Sequence, residues 1–288
     1  MMIGTSSRLL SPVQDRKGSF SPLKTATLLV MILPAAWTLY QYAIGNFGLF
    51  PLAGFTYWSG VWATALLILT LYVTPARVIL RWNRLIAIRR MIGVTALAYS
   101  VAHLVIYFGL RFWDFSFIAN EVVTRISLIV ASVSLIGLIA LGATSFDAAI
   151  RRMGAKGWDR LHNLNYILTG LALLHYLLSP GFYTGQYVMA GMFFWLMAWR
   201  LMNRRGLGAS PTALATLALG TTVFTALFEA GWMWSYHGFP PAETLGYNIH
   251  PLLGIPATWI NLGLALALAL VALVVDLFRP RPLRRAKP

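Results

Sequence analysis

Histidines within otherwise apolar sequence are the residues of this chain with the clearest chemical potential. His103 lies in the stretch RRMIGVTALAYSVAHLVIYF, and His175 lies near the end of RLHNLNYILTGLALLHY, which also contains His162. An imidazole in hydrocarbon without a partner is energetically costly, so an intramembrane histidine suggests a function by default. The chemistry open to such a residue is metal ligation, proton transfer or polar contact between helices.

The spacing of these histidines predicts that two of them lie at one depth. His103 follows Arg90 by 13 residues, and His175 follows His162 by 13 residues. With about 1.5 Å of rise per residue, each would lie roughly 20 Å along its helix from the same membrane surface. Imidazoles from two facing helices can ligate the iron of one flat macrocycle. A bare zinc or copper ion would require further donors, which the sequence does not place at that depth. The pattern therefore favours haem b, with His103 and His175 as the iron ligands.

The elements that would position these histidines are membrane-spanning helices. The chain of 288 residues is 58% hydrophobic and only 11% charged, whereas soluble domains are about a quarter charged. A span requires about 20 largely apolar residues, and a backbone in lipid must satisfy its own hydrogen bonds, which favours helices. We therefore predict an all-α, polytopic membrane helix bundle of about eight transmembrane helices, at residues 25–44, 57–74, 91–110, 124–142, 161–179, 186–203, 212–234 and 252–277.

The basic residues indicate how the bundle is oriented. Of 23 lysines and arginines, 21 lie in the segments that alternate on one side of the predicted spans, at 1–24, 75–90, 143–160, 200–205 and after 278. This is the positive-inside pattern, and it predicts that both termini are cytoplasmic. The net charge of +15 is then explained by anionic lipid headgroups rather than by nucleic acid. We divide the chain into a cytoplasmic tail (1–24), a transmembrane core (25–205) and a two-helix extension with a basic tail (206–288).

A second cluster is predicted at the cytoplasmic end of the bundle. Arg89 precedes His103 by 14 residues, which places it within about 40° of the same helix face. On one continuous helix, His162 would lie some 140° away from the face of His175. Arg89, with Arg90 beside it, could therefore meet His162 and bind a second haem, a flavin phosphate, a quinone headgroup or haem propionates, because guanidinium suits anionic oxygens. The alternative is that both arginines only anchor the helix end.

The motifs RR-x-x-G followed after ten residues by histidine, and RLH-x-L-x-Y followed by LHY, resemble the MsrQ (YedZ) family. This family provides the haem-binding membrane subunit of the bacterial periplasmic methionine sulfoxide reductase system and is similar to the ferric reductase transmembrane domain. The resemblance covers roughly residues 57–203. It implies that His103 and His175 are axial haem ligands and that His162 is a further cofactor-linked histidine. It also implies FMN, for which the sequence shows no motif.

The resemblance implies an electron-transfer subunit of the bacterial inner membrane, whose sulfoxide-reducing site belongs to the periplasmic molybdopterin partner MsrP. The sequence has no G-x-G-x-x-G fingerprint after a strand, so electrons are expected from the quinone pool or a cytosolic flavin reductase. Ferric reductases use four histidines for two haems, and Arg89 occupies the position of the fourth here, so a complete second haem is not expected. The alternatives are a stand-alone ferric or quinone oxidoreductase, or a transporter or scaffold without a redox cofactor.

Three more polar residues lie in the predicted extension. Glu229 falls near the far end of the seventh predicted span and could carry protons, although such a residue more often bonds a neighbouring helix. His237 and His250 lie in the loop between the seventh and eighth spans. An interfacial position beside aromatic anchors explains these histidines better than contact with a quinone or a partner does.

Overall fold

The computed structural model describes residues 13–14, 18–181, 183–250 and 254–279, most of which are helical. Most of the predicted N-terminal tail, the basic tail beyond 279 and the first residues of the eighth predicted span lie outside the described residues. The helices are α1 (Pro22–Ala43), α2 (Pro51–Ile79), α3 (Ile86–Leu110), α4 (Phe115–Thr124), α5 (Ile126–Ala143), α6 (Asp147–His162), α7 (Asn165–Leu177), α8 (Thr184–Arg204), α9 (Pro211–His237), α10 (Pro241–Ile249) and α11 (Ala257–Phe278).

Six helices in the described part of the chain are long and apolar enough to cross a membrane, namely α1, α2, α3 with its preceding turn, α5, α9 and α11. The predicted fifth and sixth spans fall on α7, which has 13 residues, and on α8, which has 21 residues but is less apolar. The prediction of a polytopic helical membrane protein is confirmed. The number of eight spans and the cytoplasmic placement of both termini stay predictions.

The fifth predicted span is not one continuous helix, contrary to the expectation. Helix α6 ends at His162, residues 163 and 164 form a turn, and α7 begins at Asn165. Asparagine disfavours the helix interior because its side chain competes for backbone hydrogen bonds. Asn163 lies in the turn, and Asn165 is the first residue of α7. The angle of about 140° between His162 and His175, which assumes an unbroken helix, therefore does not apply.

The chain divides into two compact units. The first contains the described residues up to 70 with residues 87–124 and 138–162, and so includes α1, α4, α6 and most of α2 and α3. Its helices are joined by polar contacts as well as apolar packing. The Tyr99 hydroxyl on α3 donates to the Met31 carbonyl (2.9 Å) and accepts from the Ala35 N–H (3.1 Å). These two groups would bond each other across one turn of a regular helix. The Tyr99 hydroxyl bonds both of them beside Pro34, which lies inside α1 and has no N–H to donate.

The second unit contains residues 71–86, 125–137 and the described residues from 163 to 279. Within it, α9 packs against α8, α10 and α11. Gly191 on α8 leaves no space for a side chain, because Asn261 of α11 and Thr225 of α9 approach its backbone. The Asn261 amide donates to the Thr225 hydroxyl at 3.0 Å. Small and polar residues at helix contacts are typical of membrane bundles, where apolar burial contributes little to association.

Candidate functional site

His103 on α3 is held by α2 through one ring nitrogen. Its Nδ1 lies 2.9 Å from the Thr56 carbonyl oxygen and 3.1 Å from the Ser59 hydroxyl. Because a carbonyl oxygen can only accept, this contact places the ring proton on Nδ1 and leaves the lone pair of the neutral imidazole on Nε2. Gly60 makes room for the ring, since a Cβ at that position would lie 2.9 Å from His103 Cε1.

His175 on α7 has the same kind of support within the second unit. Its Nδ1 lies 2.9 Å from the carbonyl oxygen of Ser127 in the first turn of α5. The same tautomer follows, with the lone pair of the neutral ring on Nε2. The histidine is half-buried, and its own backbone carbonyl accepts from the Ser179 hydroxyl at 2.9 Å.

The two histidines thus share one arrangement, in which Nδ1 donates to a backbone carbonyl of a neighbouring helix. This is the arrangement that orients a metal-ligating histidine and fixes which nitrogen binds. The residues therefore fit axial ligation of haem iron through Nε2. Ligation of one iron by His103 and His175 together stays a prediction.

His162 has different surroundings at the C-terminal end of α6. Its ring stacks on Trp158 with the ring centroids 3.9 Å apart, and its Nε2 lies 3.2 Å from the Thr144 hydroxyl. The Trp158 indole N–H donates to the Thr144 carbonyl at 2.9 Å. The site is therefore an aromatic stack anchored to the end of α5.

Arg89 and Arg90 lie close enough to His162 for their charges to act on its imidazole. All three residues belong to the first unit, and their contact with one shared ligand stays a prediction. The arginines differ in their surroundings, because both terminal nitrogens of Arg90 lie 2.9 Å from Asp147 Oδ1 at the start of α6. Arg90 is exposed in this ion pair, whereas Arg89 is half-buried.

The residues that support the histidines were not found from the sequence. The acceptors for His103 and His175 are backbone carbonyls, which have no sequence signature. Ser59 and Gly60 look like ordinary small residues of a membrane helix. Trp158 did carry a signal, since it precedes His162 by four residues, and residues at this spacing share a helix face.

Comparison with known proteins gives concordant matches. Residues 59–173 match the family model described as "Ferric reductase like transmembrane component". This range includes Arg89, His103 and His162 and ends two residues before His175. No solved structure matches the chain.

Several curated proteins named "Protein-methionine-sulfoxide reductase heme-binding subunit MsrQ" are similar to this chain. The protein of Azospira oryzae is 34% identical over 221 residues, which are 73% of this chain and 92% of the relative. The protein of Rhodospirillum rubrum is 33% identical over 69% of this chain and 96% of its own length. The protein of Cronobacter sakazakii is 36% identical over 64% of this chain and 92% of its own length.

Proposed function

Because the chain belongs to the MsrQ family of haem-binding subunits and contains a ferric reductase-like transmembrane component, we propose that it carries electrons through a haem held by His103 and His175. The observation that supports this assignment is the matched pair of Nδ1 contacts, to the carbonyls of Thr56 and Ser127, each 2.9 Å long. Both contacts leave Nε2 as the basic nitrogen of the neutral imidazole, which is the atom that would bind the haem iron.

Bound haem supplies one-electron iron chemistry. The residues of this chain hold the iron ligands in one orientation and one tautomer. A fixed ligand geometry reduces the rearrangement that accompanies each change of charge. Donors are the membrane quinol or a cytosolic reduced flavin. The acceptor is a periplasmic molybdopterin protein of the MsrP type, which reduces methionine sulfoxide, and the site of action is the bacterial inner membrane.

The cluster of His162, Arg89 and Arg90 has a separate role in this proposal. The stacked Trp158 and His162 rings offer a flat aromatic surface, and Arg89 offers a half-buried positive charge. Together they suit a flat ligand with an anionic group, for which a flavin phosphate or haem propionates are the candidates. Replacing His162 should therefore affect reduction by the donor, or part of the bound haem, more than it affects the site of His103 and His175.

The test is haem content after single substitutions in the full chain. His103→Ala and His175→Ala should each remove most of the haem from protein purified from haem-replete cells. His250→Ala is the matched control, because His250 is exposed beyond α10 and should leave the haem content unchanged. A pyridine haemochrome assay gives the haem-to-protein ratio, and a full ratio in His103→Ala would refute the assignment.

The partner requires its own test. Copurification of a soluble, molybdenum-containing protein with the tagged chain supports the methionine sulfoxide reductase assignment. Haem-containing protein that reduces ferric chelates at a high rate, and captures no molybdenum protein from the periplasmic fraction, would instead indicate a stand-alone ferric reductase. A colourless protein from haem-replete cells would exclude both the methionine sulfoxide reductase assignment and the ferric reductase assignment.

A further inference from the structure

Two of the three glutamates of this chain are buried, and their surroundings differ. Glu121 on α4 is 3% exposed. Its carboxylate lies 2.8 Å from Arg111 Nε, and it accepts a hydrogen bond of 2.5 Å from the Tyr107 hydroxyl. A guanidinium at this distance stabilises the ionised carboxylate.

Glu229 on α9 is 7% exposed, and among the residues that the structure describes no lysine, arginine or histidine forms an ion pair with it. Its neighbours are neutral groups from the three helices packed against α9. The Asn248 amide of α10 donates to Glu229 Oε2 at 3.1 Å, and the Thr258 hydroxyl of α11 donates to Asn248 Oδ1 at 2.6 Å. From α8, Tyr187 is the titratable group near enough to act on Glu229, and its hydroxyl donates to the Met233 sulfur.

A carboxylate in these surroundings is strongly disfavoured. Transfer of an unpaired charge to an apolar interior costs several kcal/mol even after relaxation, and a buried carboxyl avoids this cost by binding a proton. One neutral amide donor compensates only part of the cost, since a typical net hydrogen bond contributes about 1 kcal/mol. Glu121 avoids the cost through Arg111, but Glu229 has no such counter-charge.

We propose that Glu229 is a proton-binding site of the bundle formed by α8, α9, α10 and α11, and that its carboxyl is the neutral acid at neutral pH. The proton exchanges at the α10 end of the bundle. Asn248, which contacts Glu229, is buried, whereas the next two residues, Ile249 and His250, are exposed. In the opposite direction along α9, Thr225 and Thr221 are almost completely buried. The step is the reversible transfer of one proton from the acid to water at that end, which gives the carboxylate, without electron transfer.

This proposal concerns the extension and does not rest on haem binding by His103 and His175. Infrared spectroscopy tests it directly, because a carboxylic acid and a carboxylate absorb at different frequencies. Labelling with ¹³C-glutamate restricts the labelled carboxyl signals to Glu121, Glu229 and Glu243, which are the three glutamates of the sequence. The full chain in lipid nanodiscs at neutral pH should show one labelled acid band and two labelled carboxylate signals. The acid band should shift in D₂O as its proton exchanges.

Two variants assign the band. Glu229→Gln should lose the labelled acid band, and Glu229→Asp should lose it while keeping a carboxyl in the site, which guards against a folding defect. Glu243→Gln is the matched control, because Glu243 is exposed on α10 and should leave the acid band unchanged. Three carboxylate signals in the unsubstituted chain, a band that does not shift in D₂O, or a band that persists in Glu229→Asp would each overturn the proposal.

Discussion

Gly60→Ala tests the support of His103 without changing any polar group. The new Cβ would lie 2.9 Å from Cε1, 3.1 Å from Nδ1 and 3.6 Å from Nε2 of the His103 ring. Carbon atoms in good contact are about 3.5–4.0 Å apart, so the ring must move by roughly 0.5–1 Å. The Nδ1 contact to the Thr56 carbonyl is 2.9 Å long. A shift of this size takes it beyond the usual limit of about 3.2 Å for such a bond.

The expected loss follows from the role of this contact. Binding sites tolerate displacements of about 0.5 Å in their supporting residues. A metal-ligating histidine is oriented by the group that its other ring nitrogen hydrogen-bonds. Loss of that group lowers metal affinity about 10- to 100-fold, which corresponds to about 1.4–2.7 kcal/mol. We therefore expect Gly60→Ala to weaken haem binding by one to two orders of magnitude while the helices still form, because alanine is the better helix former.

The assay is haem titration of protein produced under haem limitation, together with electron paramagnetic resonance of the oxidised haem. Gly109→Ala on α3 is the matched control, since a Cβ there meets nothing within 4 Å. Both variants introduce one methyl group into a membrane helix, but only Gly60→Ala presses on His103. Equal haem affinity and equal spectra in the two variants would refute the reasoning.

The remaining predictions concern folding. Tyr99→Phe removes the hydroxyl that bridges two backbone groups of α1. The variant should lower the free energy of unfolding by about 1–3 kcal/mol. Tyr40→Phe at an exposed position is the control and should have little effect in the same unfolding titration. Arg111→Ala should lower the free energy of unfolding by about 3 kcal/mol, because it removes the counter-charge of the Glu121 carboxylate. Adding Glu121→Gln should restore part of this free energy. No recovery in the double variant would argue against the ion pair. Hydrogen bonds from the Ser116 hydroxyl and from the Phe117 N–H lower the pKa of Asp114. The stabilisation of α4 by this capping carboxylate should therefore be complete above the unfolded-state pKa of aspartate, about 3.9. It should be lost as the pH falls through the lower pKa of the folded state. Amide exchange in the first turn of α4 measures this, and Asp114→Ala should abolish the pH dependence.

The sequence was sufficient for the features that depend on local composition. Apolar runs predicted the long helices, because a backbone in lipid has few alternatives to the helix. They did not predict α4, α10 and most of α6, which lie between the predicted spans. The spacing of Arg89 and His103 on one helix, and the position of His162, led to the prediction that the arginines and His162 form one cluster, and this stays a prediction. Spacing also singled out His103 and His175, whose role remains the central proposal. It failed at residues 163–164, where the chain turns, because the predicted span of residues 161–179 ran through Asn163 and Asn165, and element boundaries are the least reliable part of a sequence-based assignment.

Tertiary packing alone decided the features that give these residues their chemistry. The carbonyls of Thr56 and Ser127 accept from the histidines only because α2 packs beside His103 and α5 packs beside His175. Any residue type at these two positions would supply the same carbonyl. The contrast between Glu121 and Glu229 is likewise invisible in the sequence, since both are glutamates in apolar surroundings. Arg111 lies next to one, and an amide lies next to the other. The sequence thus determined which residues lie on long apolar helices. Packing determined which groups contact the histidines and the two glutamates, because these partners are distant along the chain.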